Sequence, residues 1–315
     1  MIKYFSLLGN LGMFVFAAIG LISCGAPGQQ NKDTFTTGEV YIAVDESLEP
    51  FVSTCIYNFE NLNQGSKINA VYLPESMAFS AFLSDTIRAI IAGRKLTSIE
   101  EAHFKRIKIV PRYTIFGSDA IAFLINKSNP DSLLSLASIE KIFKGGIQDW
   151  SQISSNGFSA PLGLVFDHPG SGSITALKTY FDLIDLPSNT YALDKNTEVV
   201  NYVAENKGAI GIIGNNWINN LNSQELEIFH NKVQVALVNT LNDSSLFVRP
   251  DQTYIADSTY AFIRTIYGIN RESRQGLGSG IISFIATDRG QRIMLKSGLL
   301  PFWMPPREIL IYGND

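Results

Sequence analysis

Residues 165–173, Val-Phe-Asp-His-Pro-Gly-Ser-Gly-Ser, join the end of an apolar strand to a run in which Ile174, Leu177, Tyr180, Phe181 and Ile184 recur at helical spacing. Three small residues, Ser171, Gly172 and Ser173, therefore stand at a helix start. One reading is capping, because a Ser at the N-cap satisfies an otherwise orphan backbone N–H. The other is an anion site. The first turn offers free N–H donors and the positive end of the helix dipole, and small side chains let an oxyanion come close to the backbone. Spacing alone leaves both readings open. Two more strand-to-helix turns carry hydroxyls, Ser47 after "YIAVD" and Ser76 after "NAVYLP". Two charges lie beside such turns. Arg94 follows an apolar run and a Gly, and reads as a surface charge beside Lys95 or as an anion partner. Asp167 reads as a helix-flanking acid or as a ligand contact.

Catalytic chemistry finds little support. The three histidines, His103, His168 and His230, include no pair at metal-ligand spacing, so neither a metal nor another cofactor is expected. "GSGS" at 170–173 is not the Gly-x-Ser-x-Gly elbow of a hydrolase, since Gly172 follows Ser171 directly. His168 sits on the same turn as Ser171, whereas a triad histidine comes from a separate loop and is oriented by a third group. "GLGSG" near residue 276 lacks the Lys of a phosphate-binding loop and reads as a flexible connector.

The elements that must position these residues alternate along the chain. Strands are expected at "EVYIAVD", "KINAVYLP", "DAIAFLINKSNP", "LGLVF", "AIGIIG", "KVQVALV" and "TYAFIRTIYGI", with "FKRIKIVPRYTIFG" extended. Helices are expected at "ESLEPFVSTCIYNFENLN", "SMAFSAFLSDTIRAII", "SLASIEKIFKGGIQDW" with a stop at Gly145-Gly146, "EVVNYVAENKG" with Gly208 as C-cap, and "GSGIISFIATDRGQRIMLKSG". Alternation of this kind predicts an α/β architecture, in which ligands gather where strands turn into helices.

Residues 1–23 carry one charge, Lys3, and then a nearly unbroken apolar run ending Leu21-Ile22-Ser23-Cys24. A basic start, an apolar run and small residues at its end form an export signal. The Leu-x-Ser-Cys ending looks like a bacterial lipobox with Cys24 as the lipidated residue; a plain membrane anchor is the alternative. Residues 24–38 then read as a flexible tether. Cys55 would be the one thiol left, unable to form an intramolecular disulfide and best read as a small buried hydrophobe. The full chain has 25 basic and 29 acidic residues, net −4, and loss of Lys3 makes it −5. No basic stripe suggests nucleic acid. The 292 residues after Ser23 exceed what one core usually holds, so two lobes are expected.

The segments and their order resemble the phosphate-binding components of bacterial ABC phosphate transporters (PstS type), from about Glu39 to Arg307. "ESLEPFVSTCIYNF", "YLPESMAF" and "IIAGRKLTSIE" are similar to that family's first three ligand loops. "DAIAFLINKSNPDSLLSLASIEKIFKGGIQDW" resembles its crossover strand and "IFxGxIxxW" helix, and "GSGS" its Ser-Gly-Thr anion loop. "VVNYVAENKGAIGIIG", "TYAFIRTIYGI" and "FIATDRGQRIMLKSGLLP" resemble its later helix and strand, its return crossover and its final helix.

The resemblance implies an α/β, two-lobed type II periplasmic-binding-protein fold, with two mixed sheets flanked by helices and two hinge crossovers. Lobe I would comprise 39–124 plus 252–315, and lobe II 125–251. It implies a phosphate site at Ser47, Ser76, Arg94, Asp167, Ser171, Gly172 and Ser173. Two positions depart from the family pattern, which has an Asp in the third loop, where Arg94 stands, and an Arg ahead of the Ser-Gly-Thr loop, where Asp167 stands. The paired reversal suggests an exchanged charge pair. Arg94 would donate to phosphate, and Asp167 would orient Arg94 and accept a proton-bearing oxygen, which penalises sulfate.

The implied protein is a non-enzymatic solute-binding lipoprotein of the cell envelope. It faces the periplasm or exterior as a monomer and passes phosphate to ABC permease subunits. Another small anion, such as molybdate or an organic acid, or a sensor or adhesion role on the same fold, is the alternative.

Overall fold

The computed structural model describes residues 33–220 and 223–304. The expected signal segment, the lipidation site Cys24 and the tether up to residue 32 lie outside the described residues. Among the described residues no helix is long and apolar enough to cross a membrane.

The first part of the chain alternates strictly. Strand β1 (Gly38–Asp45) leads through a single 3-10 turn (Glu46–Leu48) into helix α1 (Glu49–Leu62). Strand β2 (Ser66–Leu73), α2 (Glu75–Phe82), β3 (Ile87–Ala92) and α3 (Ser98–Arg106) follow. The long β4 (Arg112–Asn126) then carries the chain into the second part. There β5 (Leu133–Leu134), α4 (Leu136–Phe143), β6 (Gly163–Phe166), α5 (Gly172–Tyr180), β7 (Thr190–Ala192) and α6 (Asn196–Glu205) follow in turn. After β8 (Ala209–Gly214) come α7 (Asn215–Ile218), α8 (Ser223–Lys232), β9 (Val233–Val235), β10 (Leu237–Asn239), β11 (Phe247–Val248) and α9 (Gln252–Ala256). Strand β12 (Ile263–Asn270) returns to the first part, followed by α10 (Leu277–Ala286), α11 (Asp288–Lys296) and β13 (Leu300–Pro301).

The main sheet has the order β2-β1-β3-β12-β4-β8-β6-β7, with β13 and β9 also paired to β4. Its two halves are mixed, each joining parallel neighbours to antiparallel crossovers. They meet along β4, whose first part pairs with β12 and whose last part pairs with β8. The two sheets expected from the family are therefore hydrogen-bonded through one shared 15-residue strand. The alternation of β4 explains its apolar run. Ile121, Phe123 and Ile125 enter one buried cluster, while Ala122 and Leu124 enter the cluster beneath α6. In the first half, Ile42 and Val44 of β1 pack toward α1 and α10, and Ala43 packs toward α2. Trp150 is buried in the second half and donates from Nε1 to the Gly208 carbonyl at 2.9 Å, tying "IQDW" to the turn before β8.

Several expectations change. "SMAFSAFLSDTIRAII" is not one helix. It stops at Phe82, and Ile87–Ala92 form β3, because β-branched residues there pair with β1 and β12. Of the extended stretch 104–117, residues 104–106 end α3, which a Thr97–Glu100 capping box initiates. Helix α6 ends at Glu205 with Asn206 as C-cap, so Gly208 does not cap it. Gly208 is packed against Pro161, whose carbonyl would lie 2.2 Å from an added Cβ. The final helix breaks at Thr287 into α10 and α11. "GLGSG" is no connector: Gly276 is the N-cap of α10, and the N–H groups of Gly276, Gly278 and Ser279 donate to the Glu272 carboxylate. The expected tether extends to residue 38, yet Asp33 already accepts from the Leu277 N–H at 2.9 Å and pairs with Arg274. Cys55 is fully buried, and burial pushes its thiol pKa up.

Candidate anion-binding site

Strand β1 ends at Asp45 because its carboxylate turns back to accept the Ser47 N–H at 3.0 Å, closing the 3-10 turn. That turn buries Ser47 and points it at Arg264 of β12. Arg264 is 4% exposed, and four of its five N–H groups have acceptors. It donates to Asp119 Oδ2 from Nε (3.1 Å) and Nη2 (2.7 Å), to Ser47 Oγ (2.9 Å) and to Asp45 Oδ2 (3.3 Å). Burial pulls the guanidinium toward neutrality, but the charges of Asp119 and Asp45 outweigh it and raise its pKa. Asp119, at the point where β4 passes between the halves, has its carboxyl raised by burial despite Arg264.

Helix α5 faces this group from the second half. Ser171 is its N-cap, accepting the Ile174 N–H at 3.4 Å. A Cβ on Gly172 would lie 2.2 Å from Asp45 Oδ2 and 2.7 Å from Arg264 Nη1, so only glycine lets the first turn approach the ion pair. The preceding loop touches α2. The Ser76 N–H donates to the Gly170 carbonyl at 3.1 Å, and a Cβ on Gly170 would meet Ser76 Oγ at 2.1 Å. From α7, Asn216 Nδ2 donates to the Ser47 carbonyl at 2.8 Å. The two halves are thus closed on one another. Inside the closure, Ser173 Oγ and Asn216 Oδ1 are buried with no hydrogen-bond partner.

Asp167 is buried at the mouth of the same turn. It accepts the His168 N–H at 2.9 Å and Asn196 Nδ2 at 3.1 Å. Burial raises its pKa, Ser171 opposes the shift, and the Asp45 charge adds to it. Glu75, the first residue of α2, is 2% exposed and accepts the Gly93 N–H at 2.9 Å. Burial and the Asp45 charge push its carboxyl up to about 7, against Arg264 and Arg94. Glu46 also rises to about 7, through burial and the charges of Asp167, Asp45 and Glu49.

Of the expected residues, Ser47, Ser76, Asp167, Ser171, Gly172 and Ser173 line one closed seam. Arg94 stands one layer out. It makes a two-pronged contact with Glu100 (2.8 and 3.0 Å), lies 3.6 Å from Glu75, and stacks 3.4 Å above the Phe79 ring. The expected Arg94–Asp167 pair is not formed, because Glu100 and Glu75 hold the guanidinium on the first half. The arginine facing the seam is Arg264, which sequence reasoning missed. Its signal was a charge inside an apolar strand, with two further charges, Asp45 and Asp119, at the ends of apolar runs. His168 does not serve Ser171: its Nδ1 accepts the Gly170 N–H at 3.0 Å.

Comparison with known proteins fits this geometry. Residues 29–289 match the family model described as a PBP superfamily domain. The phosphate-binding protein PstS of Borreliella burgdorferi is 19% identical over 269 residues, covering 83% of this chain and 89% of that protein. Among solved structures, a putative phosphate ABC transporter substrate-binding protein with bound phosphate from Clostridium perfringens has a TM-score of 0.71 at 21% identity, covering 84% of this chain and all (100%) of that one. An ABC-type phosphate transport receptor from Vibrio cholerae has a TM-score of 0.64 at 15% identity, covering 84% and 100%.

Proposed function

Since this chain belongs to the PBP superfamily, we propose that it is a solute-binding protein that captures inorganic phosphate between its two halves and delivers it to an ABC permease. The observation that carries this reading is the opposition of α5 and Arg264 across the seam. A helix N-terminus with glycine at its first position faces a buried guanidinium, with serine hydroxyls beside both. Such a pairing stabilises a compact tetrahedral anion by N–H donors and one charge-assisted contact.

The halves act as lobes, 39–124 plus 252–315 and 125–251, hinged where β4 and the segment before β12 cross between them. Ligand-driven closure is favoured by the contacts that span the seam, Ser76 to Gly170 and Asn216 to Ser47. Ser171 holds the helix start and the ligand without a histidine relay, in keeping with carriage rather than catalysis. Lipidation at Cys24 would tether the carrier to a membrane, facing the periplasm or exterior, within reach of its permease.

The test is calorimetry on the detergent-solubilised full chain, unfolded and refolded to strip bound anion, with phosphate and then sulfate. Micromolar or tighter phosphate binding without sulfate heat is expected; silence with phosphate overturns the reading.

A further inference from the structure

Strands β1, β4 and β12 run the length of the first half. Their seam ends carry Asp45, Asp119 and Arg264, and their other ends, at Gly38, Arg112 and Asn270, lie roughly 20 Å away at the opposite pole. The stretch 105–112, from the end of α3 into β4, holds four exposed cations there, Lys105, Arg106, Lys108 and Arg112, and no acid. Arg106 Nη2 is 3.2 Å from His103 Nδ1, and Arg112 donates to the Glu272 carbonyl at 3.0 Å. Among the described residues none of the four belongs to an ion pair. Apolar side chains surround this charge. Tyr113, Ile115, Phe302 and Trp303 are exposed and line one open groove of about 440 Å³, and Val110, three residues before Tyr113, is 84% exposed. Contiguous exposed apolar side chains of this kind mark an interaction surface.

The N-terminal segment joins the fold at the same pole. Asp33 pairs with Arg274 and accepts the Leu277 N–H just after β12. Phe35 lines a second groove with Arg112 and Thr114, and Thr114 lines the first as well, so the two are continuous around the start of β4. Resting on the lipidation at Cys24 proposed above, the anchor lies nine residues before Asp33, a reach of at most about 30 Å. The anchor thus attaches at this pole, and the seam lies at the other.

We infer that this pole docks on an anionic bilayer surface. Trp303, Phe302 and Val110 enter the boundary between headgroups and acyl chains, where Trp is enriched, and Lys105, Arg106, Lys108 and Arg112 lie over the lipid phosphates. The rest of the chain is net acidic and is repelled by the same surface, which fixes the orientation. A second copy fits this face poorly, because a two-fold contact sets the four cations of each molecule against those of the other. The seam stays roughly 20 Å from lipid, free to exchange phosphate while the pole is docked.

The experiment uses the full chain, purified from bacterial membranes in detergent and reconstituted in vesicles of phosphatidylcholine, alone or with an equal part of phosphatidylglycerol. The acyl chains are brominated near the headgroup, and tryptophan emission reports docking. Trp150 is buried and Trp217 lies beside Glu46 next to the seam, so bromine should quench Trp303 alone. Quenching is expected in the anionic vesicles, absent in the neutral ones and lost in Trp303→Phe. High salt should reverse it. Lys105→Gln and Lys108→Gln should each lower the docked-to-free ratio about fivefold, with phosphate affinity unchanged, which separates docking from carriage. Lipid on Cys24 is read from the mass of its peptide in the same sample, so a chain without lipid is told from a lipidated chain that does not dock; either overturns the inference. Equal quenching in both kinds of vesicle overturns it too. So does a dimer in detergent that Val110→Asp dissolves, which would assign the face to a second copy.

Discussion

Arg264→Met isolates the central element of the seam. Among the described residues the guanidinium is the one cation paired with both Asp45 and Asp119, and all three side chains are buried. Removing one member of a buried ionic group typically costs about 3–5 kcal/mol, because the remaining charge is left uncompensated. Two carboxylates are stranded here, which places the expectation at the upper end. Folded domains are held by about 5–15 kcal/mol in all, and each kcal/mol is worth roughly 2–4 °C in a domain of this size. A fall in Tm of roughly 10–20 °C at pH 8 follows. The deficit should depend on pH with a definite sign. Burial already holds the Asp119 carboxyl above its ordinary range, and loss of Arg264 raises it further. A carboxyl raised in the folded state binds more protons there than when unfolded, so its stability is present at low pH and lost as pH rises. The variant should thus lie closer to wild type at pH 5 than at pH 8. Urea unfolding followed by circular dichroism at both pH values measures this, with Arg264→Met, Asp45→Asn, Asp119→Asn as the neutralised control that recovers most of the loss. A deficit under about 1 kcal/mol at pH 8, or one that grows on acidification, would refute the reasoning.

Gly172→Ala should lower the melting temperature, because in the closed seam its Cβ would lie 2.2 Å from Asp45 Oδ2 and 2.7 Å from Arg264 Nη1, a clash with a buried ion pair that outweighs alanine's helix preference of about 1 kcal/mol. Phosphate affinity should drop at least about tenfold by calorimetry. Glu75→Gln should flatten the pH dependence of stability. The wild-type carboxyl, raised from 4.5 to about 7, imposes a penalty that develops as pH rises through that range, up to about 3 kcal/mol, measurable as a Tm series. Arg94→Ala should change phosphate affinity by less than about threefold, because Glu100 and Glu75 hold that side chain away from the seam. Ser171→Ala should cost about 1 kcal/mol of stability through the lost N-cap and weaken binding as well; the reverse order of the two affinities would restore Arg94 as the ligand arginine.

The parts of the fold readable in the sequence are those where local signals and tertiary demand agree. "EVYIAVD" alternates because one face of β1 packs on α1 and the other on α2, and "AIGIIG" is apolar throughout because β8 is covered on both faces. Disagreement arises where two periods overlap. Met77, Phe79 and Phe82 fit a helix that could continue through Ile87, Ile90 and Ile91, and only pairing with β1 and β12 converts the second part into strand. The glycines near 276 read as loose from composition alone. Glu272, four residues upstream, supplies the acceptor that turns them into an ordered helix start.

The site was half legible for a related reason. Hydroxyls and glycines at strand-to-helix turns are local features, so Ser47, Ser76 and Ser171–Ser173 could be picked out one turn at a time. Charge partners are not local. Asp45 and Arg264 lie 219 residues apart in the chain, and Asp119 and Arg264 lie 145 apart. Nothing near Arg94 in the sequence distinguishes a ligand arginine from one neutralised by Glu100, six residues on. Yet the cost of burying a charge supplies a usable rule: an Arg inside an otherwise apolar strand must have carboxylates waiting for it elsewhere. In this chain the candidates are acids ending or opening apolar runs, and Asp45 and Asp119 are two of them. Applied to "TYAFIRTIYGI", that rule singles out Arg264 of the return strand rather than Arg94 of the third loop as the cation facing the seam. There it is fixed to a strand paired with both β3 and β4, and the N-terminus of α5 lies against it.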